Sequence, residues 1–223
     1  MAAEMDAAPE LGLRERKKRQ TRQRIVAEAV ELFAEHGFDK VPVAEIARRA
    51  EVSEATVFNY FATKEDIFYQ GMHAFEQAIV DAVRDRPPGT PISTAFGDLV
   101  LRQRGYLAEG EAGVRRIATA ARVIAGSPAL QDRRRRTDEH FIRELAAVIT
   151  EETSAGPGDL RPYVVANALM GVSLAMRDRV HAAALAGEGG ASIADEVLAK
   201  GREALDLLER GIASLDAGSS GDE

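Results

Sequence analysis

The sequence predicts an all-α protein with a three-helix head at the N-terminus and a larger helical body behind it. Strand signals are almost absent from the 223 residues, because no segment sustains the period-two alternation of β-branched residues that a half-buried strand needs. Apolar residues instead recur three and four positions apart in nearly every segment, which is the period of an amphipathic helix. A chain of this length can hold a small domain fused to a larger one.

Three helices are expected in the head. The first covers Thr21–His36, where the apolar residues keep helical spacing, and Gly37 follows at the position where a glycine favours the end of a helix. The second covers Val43–Ala50. The third begins after Ser53, a good N-cap residue, and ends near Phe61.

A long fourth helix is expected to join head and body without a flexible linker, because Thr63–Asp66 resembles a capping box. The segment Pro87–Pro91 then breaks the chain. Further helices are predicted over 92–108, 112–125, 128–153, 160–186 and 191–215. The expected division is a disordered segment 1–13, a head 14–64, a body 65–217 and a disordered tail 218–223.

The composition excludes several classes of protein. No apolar run approaches the roughly 20 residues of a membrane-spanning helix, and Met1–Glu10 lacks the apolar stretch of a secretory signal. Without cysteine there is no disulfide, thiolate metal site or cysteine nucleophile. The four histidines have no ligand-like spacing, and the carboxylates form no recognisable acid–base pair. We therefore expect a cytoplasmic protein with no metal, cofactor or membrane partner.

The charge is unevenly distributed along the chain. The net charge is −7, yet residues 14–64 carry 11 Lys and Arg against 8 Asp and Glu. The positive charge is densest in Arg14–Arg24, where seven basic residues face only Glu15. A basic segment on an otherwise acidic chain indicates a local binding surface for a polyanion.

The segment Val43–Phe61 has the pattern of a helix-turn-helix. Two short helices flank a tight connection at Glu51–Ser53, and small or apolar residues stand where the two helices must pack together. The second helix of this motif enters the major groove of DNA, so its outward residues should be polar or small. Asn can bond adenine on two atoms, and Thr and Ala methyls can touch the thymine methyl. The candidates are Glu54, Ala55, Thr56, Asn59 and Tyr60.

The stretch from Arg14 to Tyr69 resembles the TetR family of bacterial regulators. The resemblance is carried by the first-helix pattern from Ile25 to Phe38, then by Val43–Ala47, Val52–Ser53, Thr56–Phe61 and Lys64–Glu65. It implies a homodimeric repressor that binds a near-palindromic operator and is released by a small apolar effector. DNA contacts are implied for Arg22, Val43, Ala44, Glu54, Ala55, Thr56, Asn59, Tyr60 and Lys64. Among these, Tyr60 and Lys64 would contact phosphates, and Arg14–Arg24 would follow the backbone or enter the minor groove.

The chain departs from the family pattern at three positions. Glu51 stands in the turn where glycine is common, so the turn must form without glycine or Glu51 must tolerate strain. Phe58 stands where tyrosine is common, which removes a hydroxyl that could bond a phosphate. Pro42 stands where a Ser or Thr N-cap is common, so proline lies in the first turn of the second helix.

The body is expected to dimerise and to hold the effector. An apolar stripe with the helix over 164–186 is typical of a four-helix bundle between two chains, although an internal core stripe would look the same. The stripe consists of Val197, Leu198, Gly201, Leu205, Leu208, Ile212 and Leu215. A mainly apolar effector pocket is expected, with core packing as the alternative role for its residues. Its candidate lining is Phe96, Arg102, Tyr106, Phe141, Tyr163 and Met170.

Two other functions are open at this point. Gly171–Ala175 resembles a nucleophile elbow with Ser173 as the nucleophile of a helical hydrolase, but it lacks the final glycine and a strand before it. A non-specific DNA-bending protein would share the basic segment but would have no sequence preference.

Overall fold

The computed structural model describes residues 12–70, 72–102 and 110–218, and all regular secondary structure within these ranges is helical. The all-α prediction is therefore confirmed. The described helices are α1 (Leu13–His36), α2 (Val43–Arg49), α3 (Glu54–Tyr60), α4 (Lys64–Phe68), α5 (Met72–Arg84), α6 (Ile92–Arg102), α7 (Gly110–Ala125), α8 (Pro128–Thr153), α9 (Arg161–Leu185) and α10 (Ala191–Gly218). The disorder expected at 1–13 and 218–223 falls outside the described residues, except that Gly12 caps α1, Leu13 begins α1 and Gly218 ends α10.

Two helix predictions are wrong. Helix α1 begins at Leu13 rather than Thr21, because residues 13–20 are strong helix formers that remain exposed and so show no apolar period. The fourth helix is not long, since α4 ends at Phe68 and α5 begins at Met72. Tyr69 and Gln70 form a turn after α4, so the helical period does not continue into α5.

The chain forms two compact units that divide after Gln70, and the first unit is the head. Helix α4 belongs to the head because it packs on α1, which places the division six residues beyond the expected end at 64. Its core is aromatic at one end, where the ring of Phe33 lies 4.8 Å from that of Phe38 and 6.1 Å from that of Phe68. Other buried core residues are Ile25, Ala29, Leu32, Ile46, Ala47, Val57, Phe61 and Ile67.

The second unit contains α5 to α10, whose main core lies between α5, α6, α8, α9 and α10. Helices α9 and α10 approach closely at Gly201, where an added Cβ would lie 2.5 Å from the sulfur of Met176. Arg86 donates to the carbonyls of Val83 and Thr90 and pairs with Glu152, which ties the loop after α5 to α8.

The apolar stripe of α10 lies inside this unit. Four of its residues, Val197, Leu198, Gly201 and Leu205, are buried, and Leu208 packs against the main core. Because these residues are covered within one chain, they do not form the face of a two-chain bundle, and the core alternative is correct for them. The side chains of Ile212 and Leu215 lie outside the described part of the chain.

Candidate nucleic-acid interface

Helices α2 and α3 are joined by a turn that Glu51 closes in the left-handed region, with a φ of 52°. The amide of Val52 donates to the carbonyl of Ala47 at 2.9 Å, which ends α2 and turns the chain towards α3. A residue with a Cβ is strained in this region by about 1 kcal/mol or more, and glycine is not. The departure from the family pattern at Glu51 is therefore accommodated as backbone strain.

Ser53 caps α3 as the sequence predicts. Its Oγ accepts a hydrogen bond from the amide of Thr56 at 3.1 Å and lies 2.8 Å from the Thr56 hydroxyl. Pro42 does not lie in the first turn of α2 as expected; it is the residue before the helix, extended and without a side-chain cap hydrogen bond. The capping box predicted at the start of α4 is present, since Thr63 and Asp66 exchange backbone-to-side-chain hydrogen bonds. These two caps fix the start of α3 and the start of α4, the two ends of the segment that contains the reading helix.

Helix α3 separates an anchoring face from an outward face. Val57 and Phe61 are buried in the head at 1% and 3% exposure. Asn59 and Phe58 are exposed, and Tyr60 is half-buried. Of the other outward residues, Glu54 and Ala55 are exposed and Thr56 is half-buried. The side chains at the expected base-reading positions are therefore accessible on a helix that its opposite face holds in place.

Arg22 has a role that the sequence did not reveal. From α1, its Nη1 donates to the carbonyl oxygen of Tyr60 at 3.1 Å, and its guanidinium lies 4.5 Å from the ring centroid of Phe61. A cation at the C-terminal end of a helix satisfies an unpaired carbonyl and complements the helix dipole. Arg22 thus positions the end of α3. The sequence does show an arginine in the first predicted helix and an aromatic residue at the end of the third. It does not show that these two side chains are in contact in the folded protein.

Lys64 also makes internal contacts. Its Nζ donates to the carbonyls of Phe38 and Val41 at 2.9 and 3.0 Å and lies 4.3 Å from the centroid of the Phe38 ring. Burial lowers its pKa, although Asp39 and Glu65 act in the opposite direction. An ammonium has three donors, so one proton is left for another acceptor such as a phosphate.

The N-terminal part of α1 is a basic surface. Within the described chain, Arg14, Arg16, Lys17, Lys18 and Arg19 are all exposed, and they make no ion pair or side-chain hydrogen bond there. Apart from the exposed Lys40, the other lysines and arginines of the head are engaged in ion pairs or hydrogen bonds. Arg24 pairs with Glu51 at 3.8 Å, and Arg49 on α2 pairs with Glu28 and Glu31. The free positive charge of the head therefore concentrates at the start of α1. We call these five residues the basic end of α1.

The remaining expected contacts lie at the start of α2, where Ala44 is exposed and Val43 is half-buried. The five expected pocket residues that the structure describes are not brought together by it. Phe96, Phe141 and Met170 share the main core of the body, but Arg102 and Tyr163 are exposed elsewhere, and Arg102 pairs with Asp98. Tyr106 lies outside the described residues.

The hydrolase hypothesis has little structural support. Ser173 lies in the interior of α9, which continues unbroken from Arg161 to Leu185, so the strand–turn–helix of a nucleophile elbow is not present there. The part of the chain that the structure describes contains no group of three His, Asp or Glu residues arranged to hold a metal ion. Nor does it contain a helix with the length and apolar character to span a membrane.

Comparisons with known proteins agree with this geometry. A family model described as bacterial regulatory proteins, tetR family, matches residues 25–70. The chain is 33% identical over 161 residues to the HTH-type transcriptional regulator TcmR of Streptomyces glaucescens, which covers 70% of this chain and 71% of that protein.

Solved structures show the same fold. NalD of Pseudomonas aeruginosa, the secondary repressor of the MexAB-OprM multidrug efflux pump, superposes with a TM-score of 0.53 at 20% identity, over 85% of this chain and 97% of that one. SmeT in complex with triclosan superposes with a TM-score of 0.55 at 16% identity, over 84% of this chain and 89% of that one.

Proposed function

The chain belongs to the TetR family of bacterial transcriptional regulators, and from this premise we propose that it is a homodimeric repressor released from its operator by a small apolar effector. The observation that carries the proposal is the geometry of α3, which is capped by Ser53, anchored by Val57 and Phe61, and held at its end by Arg22. A regulator of bacterial DNA works in the cytoplasm.

In this proposal α3 reads the bases. Asn59 and Ala55 are exposed on its outward face, with Thr56 beside them, and these are side chains that can contact adenine or the thymine methyl. In the proposal, Tyr60 donates its hydroxyl to one phosphate, and Lys64 donates its third proton to another. Phosphate contacts set the register of the protein, whereas base contacts set its sequence preference.

The basic end of α1 supplies much of the electrostatic attraction. Its five cations lack internal partners among the described residues, so they can neutralise phosphates without breaking an ion pair. Each phosphate neutralised releases counterions, and affinity therefore falls steeply with salt.

A second copy of the chain is proposed to cover the outward face of α9. Leu160 and Val164 are 74% and 59% exposed, and the same stripe continues through the partly exposed Ala168 to Gly171 and Ala175. An added Cβ at Gly171 meets no atom within 4 Å, so the helix is open there to close approach by a neighbour. A two-fold pair of chains joined through this face of α9 carries two reading helices, as a protein needs that binds two half-sites about one DNA turn apart.

The effector is proposed to bind in the body. The solved complex of SmeT with triclosan shows a protein of this fold with a small molecule bound. In this chain the apolar main core, including Phe96, Phe141 and Met170, supplies the surroundings that such a molecule needs. The effector lowers DNA affinity only to the extent that it prefers the state that does not bind DNA.

The test is a mobility-shift titration with DNA flanking the gene, with unrelated DNA as competitor, repeated with lipophilic compounds. Asn59→Ala should change which sequence is preferred, while Tyr60→Phe should weaken binding to all sequences. Lys64→Ala should do the same, but it also removes two hydrogen bonds to the loop before α2, so its thermal stability must be measured beside it. Lys200→Ala, which removes an exposed lysine paired with Glu196 in the body, is the matched control. Equal competition by unrelated DNA would favour a non-specific DNA-bending protein instead.

A further inference from the structure

A charged cluster is buried in the body between α5, α8 and α9. Glu76 on α5 is only 5% exposed. Arg177 on α9 pairs with Asp138 on α8 through two hydrogen bonds of 3.0 and 2.8 Å, and their side chains are 19% and 13% exposed. We call Glu76, Asp138 and Arg177 the buried triad.

Two atoms of the buried triad lack partners. Within residues 12–70, 72–102 and 110–218, neither Oε2 of Glu76 nor Nε of Arg177 has a hydrogen-bond partner, and both atoms are shielded from solvent. Buried polar groups are almost always paired, so two unpaired atoms of opposite polarity in one cluster call for an explanation. An acceptor on Glu76 and a donor on Arg177 remain available to a third group.

The charges of the buried triad do not balance. Asp138 already engages the guanidinium of Arg177 on two atoms, so an ionised Glu76 has no cation of its own. Burial, together with Asp138, raises the pKa of Glu76 to about 7, even though Arg177 acts to lower it. For His181, one turn after Arg177 on α9, burial and then Arg134 and Arg177 lower the pKa, which disfavours a compensating positive charge there. Glu76 is thus a buried carboxyl whose partner is not supplied by the described protein.

The surroundings of the buried triad are apolar. Ile79 and Val80 follow Glu76 by three and four residues on α5, and Phe141 and Ile142 follow Asp138 by the same spacing on α8. All four belong to the main core. Since residues three and four apart share a helix face, the polar atoms lie beside the apolar core rather than in a separate charged region.

We propose that Glu76 and Arg177 form the polar end of the effector site and bind a hydroxyl group of a lipophilic effector. The hydroxyl proton is donated to Oε2 of Glu76, and the hydroxyl oxygen accepts from the Nε–H of Arg177. This inference rests on the proposed function, because it defines the chemical class of the effector for the same body.

Other polar groups satisfy only one of the two atoms. An ammonium donates to Glu76 but has no lone pair for Arg177. A carboxylate accepts from Arg177 but meets the negative charge of Glu76 and Asp138. An ether oxygen accepts from Arg177 and has no proton for Glu76. A hydroxyl carries both a donor and an acceptor, so it complements both atoms.

The test uses four small fluorinated probes on the full-length protein, without DNA, at about pH 8, where Glu76 with its pKa of about 7 is ionised, and binding is followed by ¹⁹F NMR. The probes are 4-fluorophenol, 4-fluoroanisole, 4-fluorobenzylamine and 4-fluorobenzoate, which share a ring and differ in the polar group. The phenol should bind about tenfold or more tightly than the anisole, the factor expected for a hydrogen bond to a charged group.

Two variants of Glu76 test whether the preference for the phenol depends on this carboxylate. Glu76→Met removes the acceptor and should bring the two dissociation constants within about twofold of each other. Glu76→Gln keeps an acceptor oxygen without the charge, so it should leave an intermediate preference for the phenol. Asp98→Asn, on the exposed ion pair with Arg102, should leave the preference unchanged.

The inference is overturned if the anisole binds as well as the phenol, if the amine or the benzoate binds most tightly, or if none of the four binds. It is also overturned if the phenol preference survives in Glu76→Met.

Failure of this inference is distinguishable from failure of the proposed function. If apolar compounds without a hydroxyl release DNA and the phenol preference is absent, the regulator stands and the hydroxyl site fails. If the preference is present and no ligand changes DNA affinity, the site stands and effector release fails.

Discussion

Arg22 on α1 donates a hydrogen bond to the carbonyl oxygen of Tyr60, the last residue of α3, across 3.1 Å. The same guanidinium lies 4.5 Å from the centroid of the Phe61 ring. This contact links the first helix of the head to the end of the helix proposed to read DNA. The residue that resemblance assigns to DNA therefore also sets the position of the reading helix.

Loss of the Arg22 contact should weaken binding to all DNA sequences alike. Arg22→Ala leaves a carbonyl at the end of α3 without its charged donor, and we expect a loss of about 1 kcal/mol in the free energy of unfolding, because the side chain is half-buried. Mobility shift and urea unfolding measure the two effects. Arg102→Ala, which removes an exposed arginine from the body, should change neither. A changed sequence preference in Arg22→Ala would instead indicate a direct base contact.

The strained turn at Glu51 should be relieved by glycine. Glu51→Gly removes the Cβ at a φ of 52° and should stabilise the head by up to about 1 kcal/mol, less the larger conformational freedom of glycine in the unfolded chain. The ion pair with Arg24 is exposed and long, so its loss subtracts little. Glu54→Gly, three residues on in the first turn of α3, should destabilise. The free energy of unfolding in urea measures both effects. If Glu54→Gly were more stable than Glu51→Gly, the turn at Glu51 would not be strained.

The exposed face of α9 at Gly171 predicts a substitution that disrupts the dimer without unfolding the protomer. Gly171→Arg places a charged side chain where a Cβ meets no atom of its own chain, so the protomer should fold normally. The charge would then be buried against a second copy, and light scattering should report a monomer with weakened operator binding. Gly156→Arg is the matched control, since Gly156 is also exposed with nothing near its Cβ. If Gly171→Arg remained a dimer, this face of α9 would not be part of the dimer interface.

The buried Glu76 makes stability fall as pH rises. Its pKa is raised from 4.5 to about 7, mainly by burial and further by Asp138, while Arg177 lowers it. Because the native carboxyl keeps its proton to a higher pH than the unfolded one, stability falls between about pH 4.5 and pH 7 and stays low above that range. The whole loss is about 3 kcal/mol, at about 1.36 kcal/mol for each pKa unit.

Glu76→Gln isolates this effect. The variant does not titrate at this position, so its free energy of unfolding relative to the wild type should rise by about 2 to 3 kcal/mol between about pH 5 and pH 8. His181, with a lowered pKa, acts in the opposite direction, but it is present in both proteins and cancels in the difference. A difference that does not vary with pH would show that Glu76 is ionised normally in the folded protein.

Local signals in the sequence predicted much of the fold. Helix α3 was located by its cap at Ser53, and the start of α4 by the capping box at Thr63–Asp66. The first eight residues of α1 were missed because they bury nothing, so they leave no apolar period. The stripe on α10 has the same spacing whether its partner is α9 of one chain or a second copy.

The candidate sites depend more on tertiary contacts. The outward residues of α3 follow from the motif, but the internal contacts of Arg22 and Lys64 join positions 38 and at least 23 residues apart. Asp138 and Arg177 are 39 residues apart, and Glu76 precedes Asp138 by a still longer stretch. Neither helical periodicity nor a short motif predicts contacts between residues so far apart in sequence. These contacts form only when the three helices pack together.

Selection of duplexes from a random DNA pool by the purified full-length protein tests the central claim most directly. The account predicts enrichment of a near-palindrome whose half-sites lie about one helical turn apart, bound at physiological salt at least about a thousandfold more tightly than scrambled DNA. In Asn59→Ala the enriched sequence should change within the half-sites. Recovery of the pool without any enriched sequence, even at low salt, would contradict the claim that α3 reads DNA.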